Sequence, residues 1–152
     1  MPAERVGCIV AIADKLDTIC GLFAIGQGPT GSSDPFALRR SALGIVTMLL
    51  SDKGLDISLG AAIDVALASY ADQGIEFDAA AVRADVVDFF ITRTKVMAKD
   101  EGASPDAIEA VLAVSVEEPV VFMQRVRALV AAREQQAETF DDLATAYARA
   151  NN

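Results

Sequence analysis

The chain has 152 residues, of which 53% are hydrophobic and 23% charged, and it carries a net charge of −9 with no histidine. This composition excludes a disordered chain, and the absence of an apolar run of roughly 18 residues or of a signal peptide predicts a cytoplasmic protein without membrane contact. The missing histidine excludes Ser-His-Asp and Cys-His nucleophile arrangements and histidine metal centres, while a purely carboxylate magnesium site stays open.

Residues 4–25 are predicted to form the first helix. Cys8 and Cys20 lie about 18 Å apart along such a helix, too far for a disulfide, and are predicted to be buried free thiols. Apolar side chains surround the helix too widely for one buried stripe of about 100°, so part of this face should be exposed and favour self-association. These apolar side chains are Val6, Ile9, Val10, Ile12, Ala13, Leu16, Ile19, Cys20 and Phe23.

A glycine-rich loop follows at residues 26–33. Asp34 is a favourable N-cap and Pro35 suits a first helical position, which predicts a second helix over 35–51. The amides of this loop lead toward a helix N-terminus and could bind a phosphate. The loop does not match a P-loop, because it has no lysine and no preceding strand. The alternative is a structural corner between two packed helices.

The remaining elements are also helical. Capping residues and glycines predict helices over 58–73, 79–101, 105–114 and 119–136, and a last one from about 140. Asp78 caps the second of these, and Thr139 opens the last by a capping-box pattern with Asp142. We therefore predict an all-α bundle of about six to seven helices, forming one helical domain over 1–152.

Charge is distributed unevenly along the chain. Residues 1–53 contain five basic and five acidic side chains, whereas residues 54–152 contain eight basic and seventeen acidic ones, which gives −9. An acidic surface is unfavourable for a phosphate backbone, so contacts with nucleic acid should fall in the first third. Two arginine-containing groups beyond it are interpreted as solvated helix faces. They are Arg93 with Lys95 and Lys99, and Arg125 and Arg127 with Arg133.

Two carboxylates, Asp14 and Asp17, share one face of the first helix. They could bind a metal or share a proton, or they could form structural ion pairs with Arg39 or Arg40 across the loop. Adjacent side chains on a helix point about 100° apart, so one arginine could face these acids and the other solvent or a ligand. RNA contacts are expected within residues 26–40, and the candidate side chains are Thr30, Ser32, Ser33, Arg39 and Arg40.

Three segments carry a resemblance to a known family. They read Ala-Asp-Lys-Leu-Asp-Thr at 13–18, Gly-Gln followed by Pro-Thr-Gly-Ser at 26–32, and Asp-Pro-Phe-Ala-Leu-Arg-Arg at 34–40. In this order they resemble the β subunit of the bacterial two-subunit glycyl-tRNA synthetase. Ser33 stands where family members often have a lysine, which removes one positive charge. The rest of the chain is similar more loosely.

The resemblance implies an internal fragment, with 1–53 at the end of a region similar to HD-type metal phosphohydrolases and 54–152 as an acidic helical part. In that family the α subunit activates glycine with ATP and magnesium, and the β subunit binds tRNA(Gly). This chain would then be a non-catalytic tRNA-binding and scaffolding part of glycine–tRNA ligase, without catalytic residue, metal or cofactor of its own. The alternatives are a degenerate HD-type phosphohydrolase-like domain using Asp14 and Asp17, or a plain helical interaction module.

Overall fold

The computed structural model describes residues 2–52, 54–114 and 118–150, and these ranges fold into seven α-helices without a β-strand. The predicted all-α bundle is confirmed. In chain order the helices are α1 (Arg5–Ala24), α2 (Leu38–Leu49), α3 (Leu59–Asp72), α4 (Ala79–Asp100), α5 (Pro105–Leu112), α6 (Pro119–Gln135) and α7 (Ala137–Ala150).

Side-chain caps fix the starts of two central helices. Ser58 accepts a hydrogen bond from the backbone amide of Ala61 at the start of α3, and Asp78 accepts one from Ala81 at the start of α4. Each cap satisfies an amide that has no partner within its own helix. The cap predicted at Asp78 is therefore confirmed.

Two predicted helix starts are wrong. The second helix begins at Leu38 rather than residue 35, because Ala37 adopts a left-handed conformation with φ of 54° and separates the preceding turn from the helix. The last helix begins at Ala137, which places Thr139 inside its first turn instead of at its cap. In both cases the local capping pattern is present, but the chain enters the helix at another residue.

Helices α1 to α4 enclose a first core of buried apolar side chains. Ile19, Ile45, Ile63 and Phe90 come from four different helices, and none of them is exposed to solvent. Cys8 and Cys20 are buried free thiols in this core, as predicted. Gly21 lets α3 approach α1, because a Cβ atom there would lie 2.4 Å from the Tyr70 hydroxyl oxygen. The first core thus packs four helices together, among them α1 and α2, which flank the predicted site.

A smaller second core lies between the end of α4, α5 and α6. Its buried residues are Ala98, Ala103, Ile108, Val111, Phe122, Met123 and Val126. Exposed ion pairs surround it: Arg127 with Glu101 at 2.7 Å, Arg133 with Asp106, and Lys95 with Glu109 at 3.8 Å. These pairs confirm that Lys95, Arg127 and Arg133 lie on solvated faces.

Glu118, at the start of α6, links the later part of the chain to the first core. Its carboxylate accepts hydrogen bonds from the backbone amides of Leu59 at 2.9 Å and Gly60 at 3.0 Å, and from the Ser58 hydroxyl at 2.6 Å. An anion at a helix N-terminus compensates both the unpaired amides and the positive end of the helix dipole. A side chain about sixty positions away in sequence therefore completes the N-terminus of α3.

The first helix exposes part of its apolar surface, as the sequence predicted. Val6, Ile9 and Val10 are 69%, 42% and 63% exposed, and Val65 of α3 is 73% exposed. The other face of α1 is buried in the first core through Ile12 and neighbouring side chains. No helix in the described ranges is both long enough and apolar enough to cross a membrane.

Candidate functional site

The loop between α1 and α2 begins with a glycine-dependent helix end. The amide of Gly26 donates to the carbonyl of Phe23 and that of Gln27 donates to the carbonyl of Leu22. Gly26 has φ of +71°, a conformation that costs glycine little and other residues more. This is the hydrogen-bond pattern of a Schellman motif, which ends α1 and reverses the chain direction.

The second half of the loop is held by hydrogen bonds from its own residues. Thr30 and Ser33 exchange backbone hydrogen bonds of 3.2 and 2.8 Å across a tight turn. The carboxylate of Asp34 accepts from the amides of Leu38 at 2.8 Å and Arg39 at 3.0 Å. Asp34 therefore satisfies the N-terminal amides of α2, as a cap should, although the helix starts four residues later.

Arg39 closes the loop. Its guanidinium donates to the carbonyl oxygen of Gly31 at 2.6 Å and to that of Ser33 at 3.3 Å. Gly31 has φ of +52°, so the turn that presents this carbonyl favours glycine. The side chain predicted as an RNA contact or ion-pair partner thus binds loop carbonyls and fixes the shape of the loop.

The other predicted contact residues separate into two groups. Thr30, Ser32 and Ser33 are exposed on the loop. Arg40 is also exposed, but it lines a groove on the α2 side of α1, near Lys15. The structure therefore brings the three hydroxyls and Arg39 together in one loop, and turns Arg40 toward a different surface, as expected for adjacent positions on a helix.

The contacts of the described residues include no ion pair between Asp14 or Asp17 and either arginine of α2. Asp17 lines the groove between α1 and α3, where the Tyr70 hydroxyl donates to its backbone carbonyl at 3.1 Å. Lys15 faces the α2 side near Arg40. Side chains two positions apart on a helix point about 200° apart, so Asp17 faces away from Lys15 and from Arg40, one of the two arginines considered as partners for Asp14 or Asp17.

The Asp17 carboxylate has a different neighbour. Burial, followed by the proximity of Asp17, raises the pKa of Tyr70 above its ordinary value.

Within residues 2–52, 54–114 and 118–150, no three acidic or cysteine side chains are grouped closely enough to hold a metal ion.

A groove of about 460 Å³ lies between the loop and α4. On the loop side it is lined by Gly26, Gly28, Pro29 and Thr30, together with Phe23 of α1 and Arg39 of α2. On the other side it is lined by Asp85, Asp88, Phe89, Thr92 and Arg93. The α4 residues follow the spacing i, i+3, i+4, i+7 and i+8, so they form a single stripe on that helix.

Aromatic contacts hold the centre of this stripe. Phe89 packs against Phe23, with ring centroids 5.3 Å apart and planes tilted by 52°, and touches Phe90 edge-on at 6.2 Å. The guanidinium carbon of Arg93 lies 6.0 Å above the Phe89 ring, within the range of a cation–π contact. Gly28 allows the loop to reach Phe23, because a Cβ atom there would come within 3.2 Å of its ring.

Arg93 is the group that the sequence interpretation missed. It was assigned to a solvated helix face, but its Nε atom is buried and has no hydrogen-bond partner in the described structure. No ion pair of the described residues includes it, although Asp85 and Asp88 line the same groove. The stripe of Asp, Asp, Phe, Thr and Arg at helical spacing was visible in the sequence. What pointed elsewhere was the acidic net charge of this half of the chain.

Comparison with known proteins identifies the chain's relatives. The family model described as glycyl-tRNA synthetase beta subunit matches residues 1–113. The glycine–tRNA ligase beta subunit of Ectopseudomonas mendocina is 45% identical over 153 residues, covering 100% of this chain and 21% of that protein. Those of Syntrophotalea carbinolica and Acidithiobacillus ferrooxidans are each 42% identical over 152 residues, covering 100% of this chain and 22% of each protein. The chain thus spans about a fifth of the length of these curated relatives.

Proposed function

We propose a function from the premise that this chain belongs to the glycyl-tRNA synthetase beta subunit family. In this proposal it is a tRNA-binding and scaffolding part of a glycine–tRNA ligase and supplies no catalytic group. The observation that carries the proposal is the loop over residues 25–37, which Asp34 ties to the start of α2 and whose backbone Arg39 of α2 holds, while its hydroxyls face solvent.

The loop has the features of a surface that contacts an RNA backbone. Contacts to phosphates and sugars are made by hydroxyls, arginines and backbone amides, and they orient a protein on its nucleic acid. Thr30, Ser32 and Ser33 supply exposed hydroxyls, and Asp34 and Arg39 hold the loop in shape. A loop shaped before binding loses less conformational entropy when it binds.

Charge distribution supports the same location. Residues 1–53 carry no net charge, whereas residues 54–152 carry −9. A polyanion is repelled less by the first third of the chain than by the rest. Arg40 adds an exposed cation beside the loop, on the surface that also contains Lys15.

The properties of the whole ligase extend this proposal. The chain would act with an α subunit that activates glycine using ATP and magnesium, would bind tRNA(Gly), and would work in the cytoplasm. The scaffolding role rests on the first core, which holds the end of α1 and the start of α2 on either side of the loop. Because the chain has no histidine, we also propose that it has no phosphodiesterase activity. Turnover with magnesium or manganese that is lost in Asp14→Asn would contradict that part.

Titration of labelled tRNA(Gly) with the 152-residue chain, followed by fluorescence anisotropy, tests the binding role. We expect weak binding that falls steeply between 50 and 200 mM salt, because phosphate contacts release counterions. Arg40→Gln should weaken binding, and Arg125→Gln on α6 is the control that removes the same charge from an exposed helix. Equal effects of the two substitutions, or crosslinks concentrated on α6, would defeat the assignment to residues 26–40.

A second proposal concerns the exposed apolar face of α1. Val6, Ile9 and Val10 present uncovered apolar surface, and burying a few hundred Å² of it would contribute several kcal/mol at about 25 cal/mol per Å². We therefore expect the chain to self-associate through α1 at high concentration. Size-exclusion chromatography with light scattering over a concentration series measures this, and Val10→Glu should abolish it. A monomer at every concentration would disprove it.

A further inference from the structure

We propose that the groove between the loop and α4 binds one unpaired nucleotide of RNA whose base carries an exocyclic amino group. This inference deepens the proposed function and rests on it. It concerns the Asp85-to-Arg93 stripe of α4, which lies outside the loop segment assigned to RNA contacts. The groove, at about 460 Å³, has the size of a pocket for a small organic group.

Phe89 and Arg93 form an aromatic and guanidinium surface at the groove. Phe89 is held between Phe23 and Phe90, and Arg93 lies above its ring. Unstacked RNA bases are bound by stacking on aromatic rings and on guanidinium planes. Phe89 with Arg93 supplies both kinds of surface at one wall of the groove.

Arg93 also presents a buried donor atom that has no acceptor. The Nε atom of Arg93 is buried without an acceptor, and among the described residues the guanidinium has neither a hydrogen bond nor an ion pair. Leaving a buried polar atom without a partner is costly. A base carbonyl or a phosphate oxygen entering the groove would supply an acceptor to this guanidinium.

Two carboxylates at the groove favour a nucleobase over a bare phosphate. Asp85 and Asp88 are exposed at the same groove and act only as hydrogen-bond acceptors when ionised. They repel a phosphate chain, but they accept hydrogen bonds from the amino group of cytosine, adenine or guanine. Uracil has a carbonyl where cytosine has its amino group, so a carboxylate there disfavours uracil. The combination of cation, aromatic ring and carboxylates therefore selects an amino-bearing base.

The test uses two matched probes, fluorescein-labelled hexamers of cytidine and of uridine, titrated with the 152-residue chain. The cytidine hexamer should bind several-fold more tightly. Asp88→Ala together with Asp85→Ala should bring the two affinities together, chiefly by removing the penalty on uridine. Phe89→Leu should weaken the cytidine hexamer about tenfold or more, within the range measured for base–aromatic stacking. Arg125→Gln is the control that should change neither the preference nor the Phe89 effect.

Further measurements keep the outcomes distinct. Circular dichroism establishes whether each variant is folded. If Phe89→Leu does not fold, Arg93→Gln repeats the test, because it leaves the aromatic contacts in place. Cytidine monophosphate as a competitor distinguishes a free nucleotide from one within RNA, and we expect the hexamer to bind more tightly. If the chain binds tRNA but binds the two hexamers equally well, or binds neither of them, this inference is overturned and the proposed function still stands. Failure of tRNA and of both hexamers to bind would overturn both.

Discussion

The two cores of this chain are stabilised by different interactions. The first core buries large apolar side chains from four helices, and its polar contacts are caps, backbone hydrogen bonds and the ion pair of Arg83 with Asp64 at 2.7 Å between α4 and α3. The second core is smaller and is surrounded by exposed ion pairs between α4, α5 and α6. Exposed pairs of this kind contribute little, typically 0.2–1 kcal/mol each, so the second core depends on its few apolar residues and on its attachment to the first.

The difference matters for function, because the candidate groove belongs to the first core. Phe89 and Phe23 pack at the edge of that core and also line the groove. The described surface around the second core has no comparable aromatic and arginine pair, and Arg127 and Arg133 there form ion pairs with carboxylates. The family match likewise covers residues 1–113, which contain the first core and α5 but not α6.

The largest effect on stability is expected from truncating one buried side chain in each core. Phe90→Ala in the first core should lower the free energy of unfolding by about 3–5 kcal/mol, and Met123→Ala in the second should lower it by about 2–5 kcal/mol. Both side chains are fully buried, so each truncation leaves a cavity. Since α4 contributes to both cores, we expect one unfolding transition in urea for either variant. Hydrogen exchange of α1 and α6 measures this directly. Loss of protection in α6 alone for Met123→Ala would show that the cores unfold separately.

The next effect concerns the connection between the two parts. Glu118→Ala removes three hydrogen bonds to the start of α3 and should lower the free energy of unfolding by about 1.5–3 kcal/mol. Glu118→Gln keeps the acceptor oxygen and should cost less. Urea denaturation measures both, and Glu134→Ala on the exposed face of α6 is the control. A change no larger than that of the control would show that Glu118 does not stabilise α3.

Replacing either of two helical glycines by alanine should change the free energy of unfolding, in opposite directions at the two positions. Gly21→Ala places a methyl group 2.4 Å from the Tyr70 hydroxyl oxygen and should cost about 1–3 kcal/mol, because α3 or the ring must move. Gly44→Ala meets only the end of Lys15 at 3.9 Å and should stabilise α2 by about 0.5–1 kcal/mol. Thermal unfolding measures both changes. Stabilisation by both substitutions would mean that α1 and α3 are not closely packed at Gly21.

The smallest expected effects are changes in the free energy of unfolding at the acid and alkaline ends of the pH range. Hydrogen bonding to Ser104 and Arg133 lowers the pKa of Asp106 from 3.8 to about 2. Folding thus favours the ionised carboxylate. Its contribution to the free energy of unfolding is present above pH 3.8 and is lost as the pH falls toward 2. Burial, with Asp17 adding to it, raises the pKa of Cys20 from 9.0 to about 12. Folding favours the protonated Cys20 thiol. The contribution of Cys20 to the free energy of unfolding is therefore complete below pH 9.0 and is lost as the pH rises toward 12.

Urea midpoints measured across pH test this assignment. Asp106→Asn should flatten the acid side of the profile, and Cys20→Ala the alkaline side, each without altering the other. Because Asp106 is on the surface, the acid effect should also shrink at high salt. An acid slope that persists unchanged in Asp106→Asn would assign it to other carboxylates.

Much of the fold could be predicted from the sequence because its determinants are local. The apolar spacing of α1 to α6 and the capping residue Asp78 act within one or two helical turns, so helix number and most boundaries follow from composition and periodicity. The exposed apolar face of α1 was also predictable, since Val6, Ile9 and Val10 extend its apolar surface beyond one stripe. The start of α2 was not, because it depends on Ala37 adopting φ of 54°, a conformation that alanine rarely takes.

Side-chain partners were decided by tertiary structure. Sequence proximity placed Arg39 and Arg40 near Asp14 and Asp17, whereas the loop turns Arg39 back to its own carbonyls and the rotation of α1 separates Asp17 from Arg40. The contacts of Glu118 with α3 are separated by about sixty residues and have no local signature. Helical periodicity fixes which residues share a face, but only the packing of one helix against another fixes what that face meets. For that reason the sequence by itself determined an all-α bundle of about six to seven helices and their apolar faces, and the tertiary structure decided that the stripe containing Arg93 would line a groove.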